Sequence, residues 1–212
     1  MITLPCIDCL KYINPEVTYL VQKNTLNYLL LFRRKHKTGK TNMDVCNLPF
    51  ESRPTIIHEA AERGDPQAQY KLGMCYLLGD GVEKKDPVNA AKWFRKAAEQ
   101  GYAMAQCELG ACYSLGDGER KDISEALKWY RKAAEQGDAL ALYRIGFFYF
   151  LGQGVAEDKA EAIQWWRKAG EKGNASAQHM LGDCYEYGDG VAVDKIEAKK
   201  WYNKAKRQTE LK

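Results

Sequence analysis

Apolar residues recur along this chain in two alternating stripes, each with the spacing of one face of a helix. In the clearest stretch, the first stripe joins Ala68, Leu72 and Tyr76, and the second joins Trp93 and Ala97. A spacing of four residues keeps side chains on one face of an amphipathic α-helix. The stripes therefore predict two helices that pack through their apolar faces and are joined by a short Gly-x-Gly turn.

This helical pair occurs four times, with a period of about 36 residues. A fixed period of this length predicts a stacked array of hairpins, which offers an extended surface for binding. We expect second helices to begin at aspartates and to carry aromatic pairs in their core stripe. The first helices are predicted at 66–78, 104–115, 140–151 and 176–187, and the second helices at Asp86, Asp122, Asp158 and Asp194.

Glycine and short polar residues mark the helix ends. Gly64, Gly101, Gly137 and Gly173 lie where a left-handed residue would end a helix. The residues that follow them, Asp65, Asp138 and Asn174, are typical N-caps, and Tyr102 departs from that pattern. In the second helices, Asp122, Asp158 and Asp194 precede a glutamate by three residues, which predicts a capping box.

The period divides the chain into a non-repeating segment, a capping helix, four repeats and a charged tail. Because Met43 lies shortly before the array, residues 1–42 are alternatively an upstream extension outside the native protein. The predicted segments are 1–50, 51–64, 65–101, 102–137, 138–173, 174–206 and 207–212.

The charge lies mainly before the array. Residues 1–50 carry seven Lys or Arg and three Asp or Glu, and the whole chain has a net charge of +4, so the repeats are nearly neutral. A neutral array is a poor nucleic-acid binder, because phosphate contacts dominate such affinity. The apolar run 26–32 is too short to span a membrane and precedes the basic run 33–40, unlike a secretory signal. We therefore expect a cytoplasmic protein without a membrane span.

Cysteine and candidate catalytic groups give little sign of chemistry. Cys75, Cys112 and Cys184 share one repeat position with Phe148, which predicts a buried apolar site. A single Cys6-x-x-Cys9 pair is weak evidence for zinc. The sequence predicts no catalytic residue, no metal site and no cofactor site.

The quoted residues resemble the Sel-one-like repeat, a relative of the tetratricopeptide repeat. The family pattern A-x-x-x-L-G-x-x-Y-x-x-G-x-G-V, followed by K-A-x-x-W-Y/F-x-K-A-A-x-x-G, fits four consecutive units over about 65–206. The resemblance implies an all-α fold, an α/α-hairpin solenoid that forms a right-handed superhelix. It also implies a scaffold or adaptor that binds a protein or peptide on its concave face, without catalysis and without a small-molecule substrate.

Two other functions stay open at this point. A cysteine-rich branch of the family has been linked to β-lactam hydrolysis, but its paired cysteines are absent here, where Ala98, Ala134 and Gly170 occupy one of the two places. The basic run 33–40 could instead tether the chain to nucleic acid or a membrane.

Positions on the first helices that vary between repeats are the candidates for partner contact, because the packing pattern does not fix them. Phe147 and Phe150 stand out, since the corresponding places in the neighbouring repeats carry Ala, Ser, Asp and Glu. Exposed aromatic residues and Arg are typical of binding hot spots, and the alternative is that the two rings cover a neighbouring helix. Gln69, Gln106 and Gln178 are expected on the same surface. The predicted partner-binding residues are Lys71, Met74, Glu108, Arg144, Phe147, Phe150, Asp183 and Glu186.

Overall fold

The computed structural model describes residues 53–210, with side chains for residues 56–208. The described range consists of helices joined by turns, and each helix packs against the next along the chain. After α1, the helices form four hairpins, which confirms the predicted α/α-hairpin solenoid. The helices are α1 (Arg53–Glu62), α2 (Pro66–Leu78), α3 (Pro87–Glu99), α4 (Ala103–Leu115), α5 (Ile123–Glu135), α6 (Ala139–Leu151), α7 (Lys159–Glu171), α8 (Ala175–Tyr187) and α9 (Lys195–Glu210).

In three of the four repeats, the first helix begins directly after the residue that the sequence predicts as its cap. The side chains of Asp65, Asp138 and Asn174 each accept a hydrogen bond from the backbone N–H three residues further on, at 2.6 to 2.8 Å. These bonds satisfy N–H groups that have no partner within the helix. Tyr102 precedes α4 without a side-chain cap, as its residue type predicts.

The predicted capping boxes of the second helices are right for the aspartate and wrong for the glutamate. Asp122 accepts from the N–H of Glu125 at 3.0 Å, but its own N–H donates to the carbonyl of Tyr113 at 2.9 Å. The glutamate therefore has no N–H to bind, and Glu125 accepts from the ammonium of Lys128 at 2.9 Å. A tertiary bond to the first helix has replaced the local one.

The second glycine of the Gly-x-Gly turn brings neighbouring repeats together. At Gly190, which has φ +76°, an added Cβ would lie 2.6 Å from the Cβ of Lys159, the first residue of α7. Gly118 and Gly154 approach Pro87 and Ile123 in the same way. A side chain at this position would push two repeats apart, so the glycine is required for packing.

Within each hairpin, a glycine of the first helix lies against the second ring of the aromatic pair. A Cβ added at Gly73 would lie 2.6 Å from the Phe94 ring, and one at Gly110 would lie 3.0 Å from the Tyr130 ring. Gly146 and Gly182 contact Trp166 and Tyr202 equally closely. The absence of a side chain at these four positions thus allows the two helices to approach closely. The rings of Phe94, Tyr130 and Trp166 are almost completely buried.

The first ring of each aromatic pair is also part of the core. Trp93, Trp129 and Trp201 are buried, and Trp165 is partly buried. A lysine three residues later lies over each ring, at 3.9 to 4.7 Å from its centroid. The ammonium groups are attracted to the ring faces while they stay in contact with water.

Among residues 53–210, no helix combines the length and the apolar character that a bilayer crossing requires.

We predict that Gly146→Ala lowers the free energy of unfolding by about 1–3 kcal/mol, because the new methyl group overlaps the Trp166 indole. The indole cannot move away freely, since its N–H donates to the carbonyl of Tyr143 at 3.1 Å. Urea unfolding measures the effect.

Gly170→Ala is the matched control. Its methyl group would lie 3.1 Å from the Trp201 ring at the nearest point, and the equivalent residues in earlier repeats are Ala98 and Ala134. We expect unchanged or higher stability, by up to about 1 kcal/mol, because alanine favours the helix. Equal losses in both variants would contradict the packing role of Gly146.

Candidate functional site

The candidate site is the surface of α2, α4, α6 and α8 that does not pack on the second helices. We call this surface the first-helix face. Three glutamines predicted to lie on it are buried instead: Gln69, Gln106 and Gln178. Each side-chain N–H donates to the carbonyl near the end of the preceding helix, at 2.7 to 3.1 Å. A free carbonyl at a buried helix end needs a donor, so these glutamines join neighbouring repeats and are not available to a partner.

Phe147 and Phe150 lie partly buried in repeat three and contact Trp166. The centroid of the Trp166 ring lies 5.5 Å from that of Phe147 and 5.1 Å from that of Phe150. Phe147 also packs on Tyr143, at 5.1 Å. The two rings thus cover a neighbouring helix, as the structural alternative expected, and their role in partner binding stays a prediction.

The charged candidates in repeats one to three differ in how far their side chains are exposed. Lys71 and Arg144 are exposed, whereas Glu108 is half-buried. Burial raises the pKa of the Glu108 carboxyl, and the positive charge of Arg144 acts in the opposite direction. Met74 is half-buried against the core that contains Phe94. The three charged residues therefore give repeats one, two and three a positive, a negative and a positive site on this face.

Asp183 and Glu186 lie together at the repeat-four end. Asp183 accepts a hydrogen bond from the hydroxyl of Tyr202 at 2.7 Å and lies 3.4 Å from Nδ1 of His179. Glu186 lies 3.7 Å from the ammonium of Lys195. The predicted acidic residues are therefore neighbours, and their side chains remain partly exposed.

Sequence reasoning missed a row of exposed apolar residues along the face. The last residue of each first helix keeps a large exposed fraction: 39% for Leu78, 63% for Leu115, 37% for Leu151 and 73% for Tyr187. We call these four residues the apolar row. The signal was present in the sequence, because each residue directly precedes the first glycine of a Gly-x-Gly turn. An apolar position that stays exposed in every repeat is a candidate for contact with a partner.

The family assignment rests on the repeat pattern itself. A family model described as Sel1 repeat matches residues 66–102, 103–138, 139–174 and 175–209. The chain belongs to the Sel1 repeat family. Sel1 repeat proteins are in general helical scaffolds that bind proteins and do not catalyse reactions.

Solved structures place the chain in the same family. A Sel1 repeat protein from Oxalobacter formigenes is 41% identical, with a TM-score of 0.71 over 74% of this chain and 62% of that one. A protective antigen of uropathogenic Escherichia coli, c5321, is 42% identical, with a TM-score of 0.69 over 73% of this chain and 33% of that one. This chain thus matches only part of the length of either protein.

A more distant Sel1 repeat structure, from Klebsiella pneumoniae, shares the fold. It is 20% identical, with a TM-score of 0.51 over 74% of this chain and 77% of that one. No curated protein matches the sequence.

The cysteines of the Sel1 repeats are packing residues. Cys112 and Cys184 are buried and Cys75 is partly buried, at the position where repeat three has the buried Phe148. Burial raises the pKa of Cys112 and of Cys184 to about 12, so both remain thiols at neutral pH. The Cys6–Cys9 pair and the basic run 33–40 lie outside the described residues.

We expect Phe147→Ala to lower the free energy of unfolding by about 1–3 kcal/mol, because it uncovers the Trp166 ring. Leu115→Ser is the comparison from the apolar row, and it should change stability by less than about 0.5 kcal/mol because that side chain is mostly exposed. Thermal and urea unfolding of the two variants would test both values. A neutral Phe147→Ala would favour the binding interpretation of that ring.

The buried thiols predict a loss of stability at alkaline pH. Between the ordinary thiol pKa of 9.0 and the raised value of about 12, Cys112 ionises only in the unfolded state. The unfolded state then binds fewer protons, so the free energy of unfolding falls as pH rises. Cys112→Ala should reduce the loss between pH 8 and pH 10 by about 1 kcal/mol. Identical pH profiles for variant and wild type would contradict the raised pKa.

Proposed function

We propose that this Sel1 repeat protein is an adaptor that holds a segment of another protein on the concave, first-helix face of its solenoid and catalyses no reaction. The observation that carries the proposal is the apolar row, which repeats once in every unit and stays exposed. Exposed apolar positions that recur in register suit a partner that runs along several repeats.

The face offers chemistry for both affinity and specificity. The apolar row supplies area that a partner can remove from water, and Lys71, Glu108 and Arg144 supply charges that can fix its register. Phe147 and Phe150 remain part of the proposed face, as do Met74, Asp183 and Glu186. The rings of repeat three then act both as cover for Trp166 and as contact surface.

A hydrolase function is less well supported. His58 packs edge-on against Trp93, and His179 lies beside Asp183 and Tyr202. The hydroxyl of Ser114 donates to the carbonyl of Ala111 at 3.0 Å, a local bond within α4. These contacts give neither histidine a serine nucleophile. Tethering through the run 33–40 and a cytoplasmic location stay predictions from the sequence.

We expect Leu115→Lys combined with Leu151→Lys to abolish capture of the physiological partner without loss of stability. Two exposed charges in the middle of the apolar row would have to be desolvated on binding. The experiment is affinity capture from cell extract by wild type and variant, followed by titration of the purified partner against both proteins. We expect the dissociation constant to rise at least tenfold.

Val88→Lys combined with Ile196→Lys is the control. These side chains are also exposed and apolar, at 52% and 73%, but they lie on the second helices. A partner that tolerates the row variant and is lost with the control would move the binding site to the second helices.

A further inference from the structure

The floor of the first-helix face changes character at repeat four. The position of Asp183 is occupied by Met74, Ala111 and Phe147 in the preceding repeats, and all three are apolar. Glu186 likewise follows Leu77, Ser114 and Phe150 at its position. At these two positions the face is therefore mainly apolar in repeats one to three and acidic in repeat four. The charged residues of repeats one to three, Lys71, Glu108 and Arg144, occupy a third position, where repeat four has Met180.

The Asp183 carboxylate is held in one orientation. The hydroxyl of Tyr202 donates to its Oδ1 at 2.7 Å, and Nδ1 of His179 lies 3.4 Å from its Oδ2. The two rings also contact each other, with centroids 5.1 Å apart. A carboxylate can accept about four hydrogen bonds, and the Asp183 side chain remains 25% exposed. It can therefore accept another donor without rearranging.

Two carboxylates, Asp183 and Glu186, act on the same hydroxyl group. Burial raises the pKa of the Tyr202 hydroxyl, and the charges of Asp183 and Glu186 raise it further. One neighbouring cation, Lys195, lies 3.7 Å from Glu186 and has a side chain that is 74% exposed. Such an exposed pair is weak, so an incoming cation can displace it.

Tyr187 extends the acidic end with an aromatic surface. It follows Glu186 directly, belongs to the apolar row and is 73% exposed. The face of a phenol ring attracts Lys and Arg, most often Arg. Carboxylates beside an exposed aromatic ring are thus suited to a cationic side chain whose stem is apolar.

We propose that the partner segment carries apolar side chains for repeats one to three and a Lys or Arg for repeat four, where Asp183, Glu186 and Tyr187 receive it. This inference rests on the proposed function and adds the chemistry and the direction of the bound segment. Leu78, Leu115 and Leu151 contact its apolar part, and charge complementarity at repeat four fixes which way it runs.

The test uses a naive library of displayed peptides of about 16 residues. An extended peptide of this length spans about 50 Å, so that it can run along several repeats as the proposed partner segment does. Wild-type protein is the bait, and the best binders are then synthesised and titrated. We expect selected peptides to contain several large apolar residues followed or preceded by Lys or Arg at one end. Their affinity should fall when sodium chloride is raised from about 50 to about 500 mM, because salt screens the charge pairing.

Asp183→Asn combined with Glu186→Gln should weaken these peptides at least tenfold. The amide oxygen that replaces the Asp183 carboxylate can still accept from Tyr202, so a loss of affinity reports charge and not a loss of fold. The control, Glu99→Gln combined with Glu135→Gln, removes the same charge from exposed positions on α3 and α5 and should bind as the wild type does.

The two proposals fail in different ways. Peptides without a preference for Lys or Arg would overturn the cation site, and so would peptides that bind the Asp183→Asn, Glu186→Gln variant as well as the wild type. The adaptor function would still stand if Leu115→Lys combined with Leu151→Lys abolishes the binding of these peptides. Absence of any selected peptide, or binding that tolerates the apolar-row variant, would overturn both.

Discussion

The close contact between a glycine of the first helix and a ring of the second helix is the constraint on which every repeat depends. At Gly73 and Gly146 a single added carbon would overlap Phe94 and Trp166, so the two helices meet at a distance that only glycine allows. In repeats one to three, the ring also shares a core cluster with residues of the first helix of the following repeat. The same ring therefore stabilises both its own hairpin and the contact between neighbouring repeats.

Polar bonds between repeats reinforce this packing and explain why the repeat unit is so regular. Tyr113 shows the pattern: its hydroxyl accepts from Arg95 of the preceding repeat at 2.8 Å, and its carbonyl accepts from the N–H of Asp122 in its own repeat at 2.9 Å. Tyr149 and Tyr185 are bonded in the same two ways. One tyrosine thus fixes both its own hairpin and the preceding one, which leaves few residues of the unit free to vary.

Helix positions, caps and core rings could be predicted from the sequence because they depend on local spacing and repeat in register. The limits of that reasoning appear where a tertiary partner decides. Gln69 and Gln106 were expected on the exposed face, yet each is buried against a carbonyl at the end of another helix. Glu125 had the right spacing for a capping box, but Tyr113 from the preceding helix provides the acceptor that Asp122 uses. The spacing of residues within one segment does not show which unpaired backbone N–H or C=O group of a neighbouring segment lies close to them.

Repeat three shows how the packing constraint shapes the proposed binding surface. Its second ring is Trp166, larger than Phe94, Tyr130 or Tyr202 at the same place, and its indole N–H donates to a helix carbonyl. Phe147 and Phe150 cover this ring, where repeat two has the smaller Ala111 and Ser114. Part of the aromatic excess of this repeat therefore packs against its own core. Under the proposed function, a partner is recognised mainly through residues that do not pack in the core, so we give the exposed apolar row more weight than the most aromatic stretch of sequence.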